Sequence, residues 1–197
     1  SMLKDAPASF GSFNPENFDG EFAGPLPARE ALQRSRNVPA VFLGSLLKEP
    51  DLYSFLRKSG VDLPFDRKHY GMALVLGGAE ATMEDLVRLY AALPNKGIVK
   101  PLRRLRDELT AETQNSLLSP ESCFLVTEML AGTPRQEQHY QDQWVQSTLP
   151  IPWKTGTSYG FRDAWTVGIV GPYVVAVWIG NFDGEGNPAF VGGQVAA

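Results

Sequence analysis

Cysteine and histidine are nearly missing from this sequence of 197 residues: there is one cysteine, Cys123, and two histidines, His69 and His139. A single cysteine excludes an internal disulfide. Cys123 stands in an apolar helical pattern and reads as a small buried hydrophobe rather than a nucleophile. Neither histidine has a cysteine or carboxylate at metal or triad spacing, so both read as structural. Long apolar runs are lacking too. None approaches the ~18 residues that suggest a bilayer-spanning helix, and no leader pattern opens the chain. Ser1-Met2 reads as a cloning remnant on an excised piece, whose own address would have been cut away. An excess of positive charge is the third absence. The net charge is −4 and the pI about 5.2, which gives nucleic acid or an anionic membrane no global attraction. What remains is an ordinary globular balance, 43% hydrophobic and 20% charged, long enough for one domain with a core.

Taken in order, residues 5–26 are rich in Gly, Pro and Asn, and are expected to form an ordered loop pinned by Phe10, Phe13, Phe18 and Phe22. A short helix is predicted over 28–34, ending at Ser35-Arg36-Asn37. A second runs from Pro39 to about Leu47, with Val41, Leu43, Leu46 and Leu47 facing inward, and a third runs from Asp51 to Ser59. Thr82 and Asp85 form a capping box opening a helix that reaches about Leu93. Ile98 to Arg106 reads as a strand or hairpin; its basic residues sit beside Asp107 and Glu108, so no nucleic-acid site is read there. Ser119 and first-turn Pro120 open a further helix whose core stripe is Phe124, Leu125, Val126, Met129 and Leu130. Residues 133–148 are polar and glutamine-rich, and are expected to form a flexible rim. The pattern as a whole predicts an α+β fold, with a helical half over about 27–131 and an antiparallel sheet over about 150–182.

The chemistry concentrates in Lys154-Thr155-Gly156-Thr157-Ser158. An apolar lead-in precedes it, and two β-rich runs follow, Ala164 to Val170 and Tyr173 to Gly180, split by Gly171-Pro172. This predicts three consecutive strands in an antiparallel meander. The pleat places Thr155 and Thr157 on one face and Lys154 and Gly156 on the other. Two threonine hydroxyls form a shelf for a carboxylate, and a lysine beside them polarises neighbouring hydroxyls. Glycine lets another backbone approach. At a sheet edge, the free backbone groups of such a strand can pair with an extended peptide.

Ser35-Arg36-Asn37 and Lys154-Thr155-Gly156-Thr157 together resemble the second and third motifs of the penicillin-binding transpeptidases, with Arg36 where the usual pattern has Asp. The stretches Asp5-Ala-Pro-Ala-Ser-Phe10, Asn17-Phe-Asp-Gly20, Arg29 to Ala40 and Leu76-Gly-Gly78 look like the class A, bifunctional group. Tyr159 to Trp165 and Trp178 to Gly184 look most like one branch of it. The resemblance implies an antiparallel sheet flanked by helices, as in the serine β-lactamases, with residues 1–197 forming part of a transpeptidase domain. It implies a serine acyl-transferase acting on D-Ala-D-Ala stem peptides of peptidoglycan and acylated by β-lactams, on the periplasmic or extracytoplasmic face of the membrane. Membrane attachment and glycosyltransferase activity would belong to absent parts of the parent. By motif match, Ser35 would relay a proton, Asn37 would hold the substrate amide, and Lys154 would tune the Ser35 hydroxyl. Thr155, Gly156, Thr157 and Ser158 would bind the substrate, with the Thr157 N–H forming half of an oxyanion hole. No metal or organic cofactor is implied.

The nucleophile motif, Ser-x-x-Lys, is the gap. Ser1-Met-Leu-Lys4 fits by letters but is rejected, because Asp5-Ala-Pro and a Gly/Pro loop follow where the family has a long apolar helix. The nucleophile is expected upstream, and Gly192 to Ala197 reads as the approach to a last helix. Two other readings stand beside this one: a β-lactamase or carboxypeptidase of the same fold, and a non-catalytic module that grips stem peptides or a partner.

Overall fold

Chain direction reverses early: β1 (Met2–Asp5) runs antiparallel to β2 (Gly24–Pro27), with Met2 opposite Pro27 and Asp5 opposite Gly24. The computed structural model describes residues 1–106, 115–133 and 150–196, in two units, Ser1–Ala81 and Thr82–Ala197. In the first unit, β2 leads directly into α1 (Ala28–Gln33) and then α2 (Asn37–Leu46). Asp51 caps α3 (Leu52–Lys58) by accepting from the Ser54 N–H, and Asp66 caps α4 (Arg67–Tyr70) through the His69 N–H. A 3-10 helix, Gly71–Leu76, follows. Its Val75 lies so near α2 that a Cβ on Gly44 would stand 2.5 Å from the valine Cγ2. Leu26, Ala31, Val38, Val41, Val61, Leu63, Tyr70 and Leu74 form the core.

Two expectations fail in this unit. The 5–26 loop is not pinned by four phenylalanines: Phe10 and Phe13 bridge each other, but Phe18 is 70% exposed and Phe22 is also solvent-facing. Polar side chains tie the loop down instead. In α2 the buried residues are Val38, Pro39 and Val41, whereas Leu43 and Leu46, and Leu47 just past the helix end, face solvent. At 100° per residue, Leu43 and Leu46 lie about 200° and 140° round the helix from Val41, so one stripe cannot hold all of them.

The second unit opens on α5 (Met83–Ala91), whose capping box of Thr82 and Asp85 forms as expected. The predicted 98–106 strand shrinks to β3 (Ile98–Val99), paired with β4 (Asn115–Ser116). Ser119 accepts from the Ser122 N–H to cap α6 (Pro120–Ala131). Only Cys123 and Leu130 of α6 are buried; Phe124, Leu125 and Val126 are exposed, so the expected core stripe is largely a surface. The meander forms as predicted, as β5 (Trp153–Thr157), β6 (Asp163–Val170) and β7 (Tyr173–Gly180), in that spatial order and antiparallel throughout. Helix α5 packs on β6 and β7, and a short helix, α7 (Gly192–Val195), packs on β5 and β6. Ala164, Val167 and Ile169 are buried along β6. The glutamine-rich stretch and His139 fall in residues 134–149, outside the described residues. Among the described residues no helix is long and apolar enough to cross a membrane.

The two faces of α2 make a direct test. Val41→Ala should destabilise the chain by about 2 kcal/mol, while Leu43→Ala should stay within about 0.5 kcal/mol of the parent in urea unfolding. Equal losses would mean that the leucine face is packed after all.

Candidate active site

The end of α1 explains the position of Ser35. The Arg36 N–H donates to Ala31 O (2.9 Å) and the Ser35 N–H to Leu32 O (3.1 Å), the two bonds of a Schellman helix stop. The residue at the reversal must be left-handed, and Ser35 has φ +53° there, at a place usually given to glycine. Such a conformation in serine costs about 1–3 kcal/mol and persists only where its surroundings enforce it.

Those surroundings are polar and buried. Arg36, 5% exposed, donates from Nε to Asp5 Oδ2 and from a terminal nitrogen to Asp19 Oδ2, both at 2.7 Å, and from the other to Glu21 O. Asp5 is fully buried. Burial by itself would push its carboxyl up, but the Ala23 N–H, the Asn17 amide and the Arg36 guanidinium together hold it below its ordinary value. Buried Asn17 donates to Asp5 Oδ1 (2.7 Å) and Glu21 O (2.8 Å), and its Oδ1 accepts from the Asn37 N–H at 2.9 Å. Helix α2 has no side-chain cap of its own, so Asn17 supplies one from a distant loop. The Asn37 amide in turn donates to Glu16 O at 2.8 Å. None of Asp5, Asn17 and Asp19 stood out in sequence as part of this arrangement, because no local pattern marks partners 31 residues apart.

In the second unit the strand β5 lies at a sheet edge, paired with β6 alone among the described residues. The Ile169 N–H donates to Pro152 O and the Ser158 N–H to Asp163 O, both at 2.9 Å. Bonded pairs alternate along an antiparallel ladder, so Lys154 and Gly156 turn their backbone groups toward β6 while Thr155 and Thr157 turn theirs to the open edge. Lys154 Nζ reaches that same edge and donates to Thr155 O at 2.9 Å. Burial pulls the Lys154 ammonium down to about 8, so near neutral pH it can both hold and release a proton. Thr157 Oγ1 accepts from the Gly192 N–H (3.0 Å), which occupies an acceptor site and leaves the hydroxyl proton to donate elsewhere. A Cβ on Gly192 would stand 2.3 Å from Gly156 O, so this contact needs glycine at 192.

The neighbouring turn is fastened by its own polar groups. Ser158 Oγ accepts from the Asp163 N–H at 2.8 Å, and Asp163 accepts from Trp178 Nε1 at 2.9 Å. Thus the Lys154 amine and the backbone groups of Thr155 and Thr157 meet at one open edge, and Ser158 closes the turn beyond it. Ser35 and Asn37 sit at the α1–α2 corner of the first unit.

Ser-x-x-Lys occurs twice in the sequence, at Ser1–Lys4 and, unnoticed by the motif reading, at Ser45–Lys48. In the first, Ser1 precedes β1 and Lys4 lies on it, and residues three apart along an extended chain point to opposite faces. The second closes α2 instead of opening a helix: Ser45 Oγ donates to Phe42 O (2.7 Å), and Lys48 lies past the helix end. Neither sets serine and lysine one turn apart along a continuing helix.

Among characterised proteins, the chain is 35% identical over 185 residues to penicillin-binding protein 1C of Escherichia coli, covering 93% of this chain and 23% of that protein. It is 28% identical over 200 residues to penicillin-binding protein 1B of Vibrio cholerae, covering 94% and 25%. The chain thus spans about a quarter of the length of these relatives. In fold it is similar to penicillin-binding protein 1A from Haemophilus influenzae, with TM-score 0.77, 21% identity, and coverage of 98% of this chain and 37% of that one. A second structure, of the PonA1 protein from Mycobacterium tuberculosis in complex with penicillin V, gives TM-score 0.74, 22% identity, and coverage of 98% and 59%. No family model matches the chain.

The lysine on the open edge is directly testable. In nitrogen-detected NMR of the side-chain amines, Lys154 should titrate near pH 8, below the roughly 10.4 of a free lysine side chain. Because its folded pKa is the lower one, the unfolded chain binds more protons between those values, and stability contributed by this group rises with pH there. Titration of Lys154 together with the other lysines would show that the side chain is solvated.

Proposed function

The chain belongs to the class A penicillin-binding proteins, over part of their transpeptidase region, and from that premise we propose that its parent is a serine-type DD-transpeptidase of peptidoglycan, working on the extracytoplasmic side of the membrane. The observation that carries this reading is the open edge of β5, where the backbone groups of Thr155 and Thr157 and the Lys154 amine meet. An extended stem peptide ending in D-Ala-D-Ala would add to that edge as a further strand. Its terminal carboxylate would take hydrogen bonds from the Thr155 and Thr157 hydroxyls. A reacting carbonyl oxygen would lie against the Thr157 N–H, one donor of the kind worth about 3 kcal/mol in the transition state.

In the reaction the nucleophilic serine Oγ bonds to the penultimate D-Ala carbonyl carbon, and the C–N bond to the last D-Ala breaks. The leaving nitrogen takes up a proton, for which Ser35 is the relay. An amine of a neighbouring stem then attacks the acyl-enzyme, forming the cross-link and restoring the serine hydroxyl. Asn37 would hold the substrate amide, and Lys154, with its lowered proton affinity, would tune the serine relay. A β-lactam would acylate the same nucleophile. Neither Ser1 nor Ser45 fits that role, so the nucleophile belongs to a segment that these 197 residues do not include. By itself the chain would grip a stem peptide without acylation.

The test is covalent labelling by a fluorescent penicillin. The 197-residue chain should give no adduct by intact mass, and Ser1→Ala should change nothing. The full gene product should label, and Lys154→Ala in it should slow acylation by roughly a hundredfold or more. A stoichiometric adduct on Ser1, or unchanged labelling of the lysine variant, would defeat the assignment.

A further inference from the structure

Arg36 stands between the two residues proposed to act on the substrate, in a motif position where a charged side chain invites an electrostatic role. Its surroundings argue otherwise. The guanidinium is 5% exposed, and its three nitrogens are each bonded within the protein, to Asp5, Asp19 and the Glu21 carbonyl. Two carboxylates therefore meet its charge, and a substrate would feel little of it. What the side chain does is mechanical. It joins the end of β1, the 19–21 loop and the α1–α2 corner at one rigid planar fork.

Ser35 is bracketed by this arrangement. On its helix side the Arg36 N–H is fixed to Ala31 O, and on the far side Asn17 Oδ1 holds the Asn37 N–H. Asn17 is itself held by Asp5, the residue that receives Arg36 Nε. The backbone after Ser35 therefore cannot relax without breaking a buried bond, and the left-handed φ of +53° at a serine is the conformational mark of that restraint. The same bonds set the direction of the Asn37 side chain toward Glu16 O.

We propose that Arg36, anchored by Asp5 and Asn17, is a positioning residue that locks Ser35 in its left-handed conformation and fixes Asn37, acting through its three-way fork and not through its charge. The inference rests on the proposed acyl-transfer role only for its kinetic consequence; the restraint itself can be read without any activity.

The two levels are tested separately. Arg36→Lys keeps the charge and loses the fork. In the 197-residue chain, hydrogen exchange at the Asn37 backbone N–H should accelerate by roughly tenfold or more in this variant, since the bond to Asn17 is no longer enforced. In the full gene product, the same variant should lower the rate constant for acylation by fluorescent penicillin by about tenfold or more, with the preceding non-covalent affinity changed less than about twofold. Asp19→Ala removes one leg of the fork at a half-exposed residue. It is the second variant should Arg36→Lys fail to fold, and it should shift both readouts the same way by a smaller factor. Full acylation with Arg36→Lys would show that charge is the requirement and overturn the proposal. So would unchanged exchange at Asn37 in folded Arg36→Lys or Asp19→Ala. If the wild-type full product fails to acylate, the acyl-transfer reading falls, while the exchange measurement still decides the restraint.

Discussion

The backbone bonds between β5 and β6 are what the open edge depends on. Because Pro152 and Ser158 bond inward at either end of β5, the alternation of the ladder turns Thr155 and Thr157 outward. A slip of one residue would exchange the two sets and present Lys154 and Gly156 backbone groups to the edge instead. Register is held by packing as well as by bonds: Ala164, Val167 and Ile169 are buried along β6, and Trp165 lies against Trp178 across the next strand pair with ring centroids 6.3 Å apart. Gly192 then closes over Gly156 at a distance that no side chain would permit. The chemistry of the edge is thus set by elements that carry no reactive group.

The sheet was legible in sequence because its signals are local. Gly171-Pro172 divides two β-branched runs, and Lys154 to Thr157 needs only the period of a strand to place its hydroxyls on one face. The caps at Thr82 and Ser119 are local for the same reason. Burial was less legible. Phe124, Leu125 and Val126 on α6, like Leu43, Leu46 and Leu47 on and just past α2, are apolar enough to suggest a core, yet all are exposed among the described residues. Composition names which residues can be buried, while the packing partner decides which are.

The polar tie between Asp5, Asn17 and Arg36 was hidden for a different reason. It links residues separated by up to 31 positions, through side chains that each read as ordinary surface polar groups. Removing one member of such a buried set leaves another uncompensated, at a cost of roughly 3–5 kcal/mol for a charge pair. The positive charge at Arg36 thus comes with its own counter-charges: Asp5 and Asp19 meet it inside the protein.

The left-handed serine has a consequence for how this chain would respond to selection. Glycine at position 35 would adopt φ +53° without strain, relieving the fold by about 1 kcal/mol or more. A library sorted only for thermal resistance or expression would therefore drift toward glycine at that corner and discard the hydroxyl. Under the proton-relay role proposed for Ser35, sorting for stability and sorting for catalysis would pull this one residue in opposite directions.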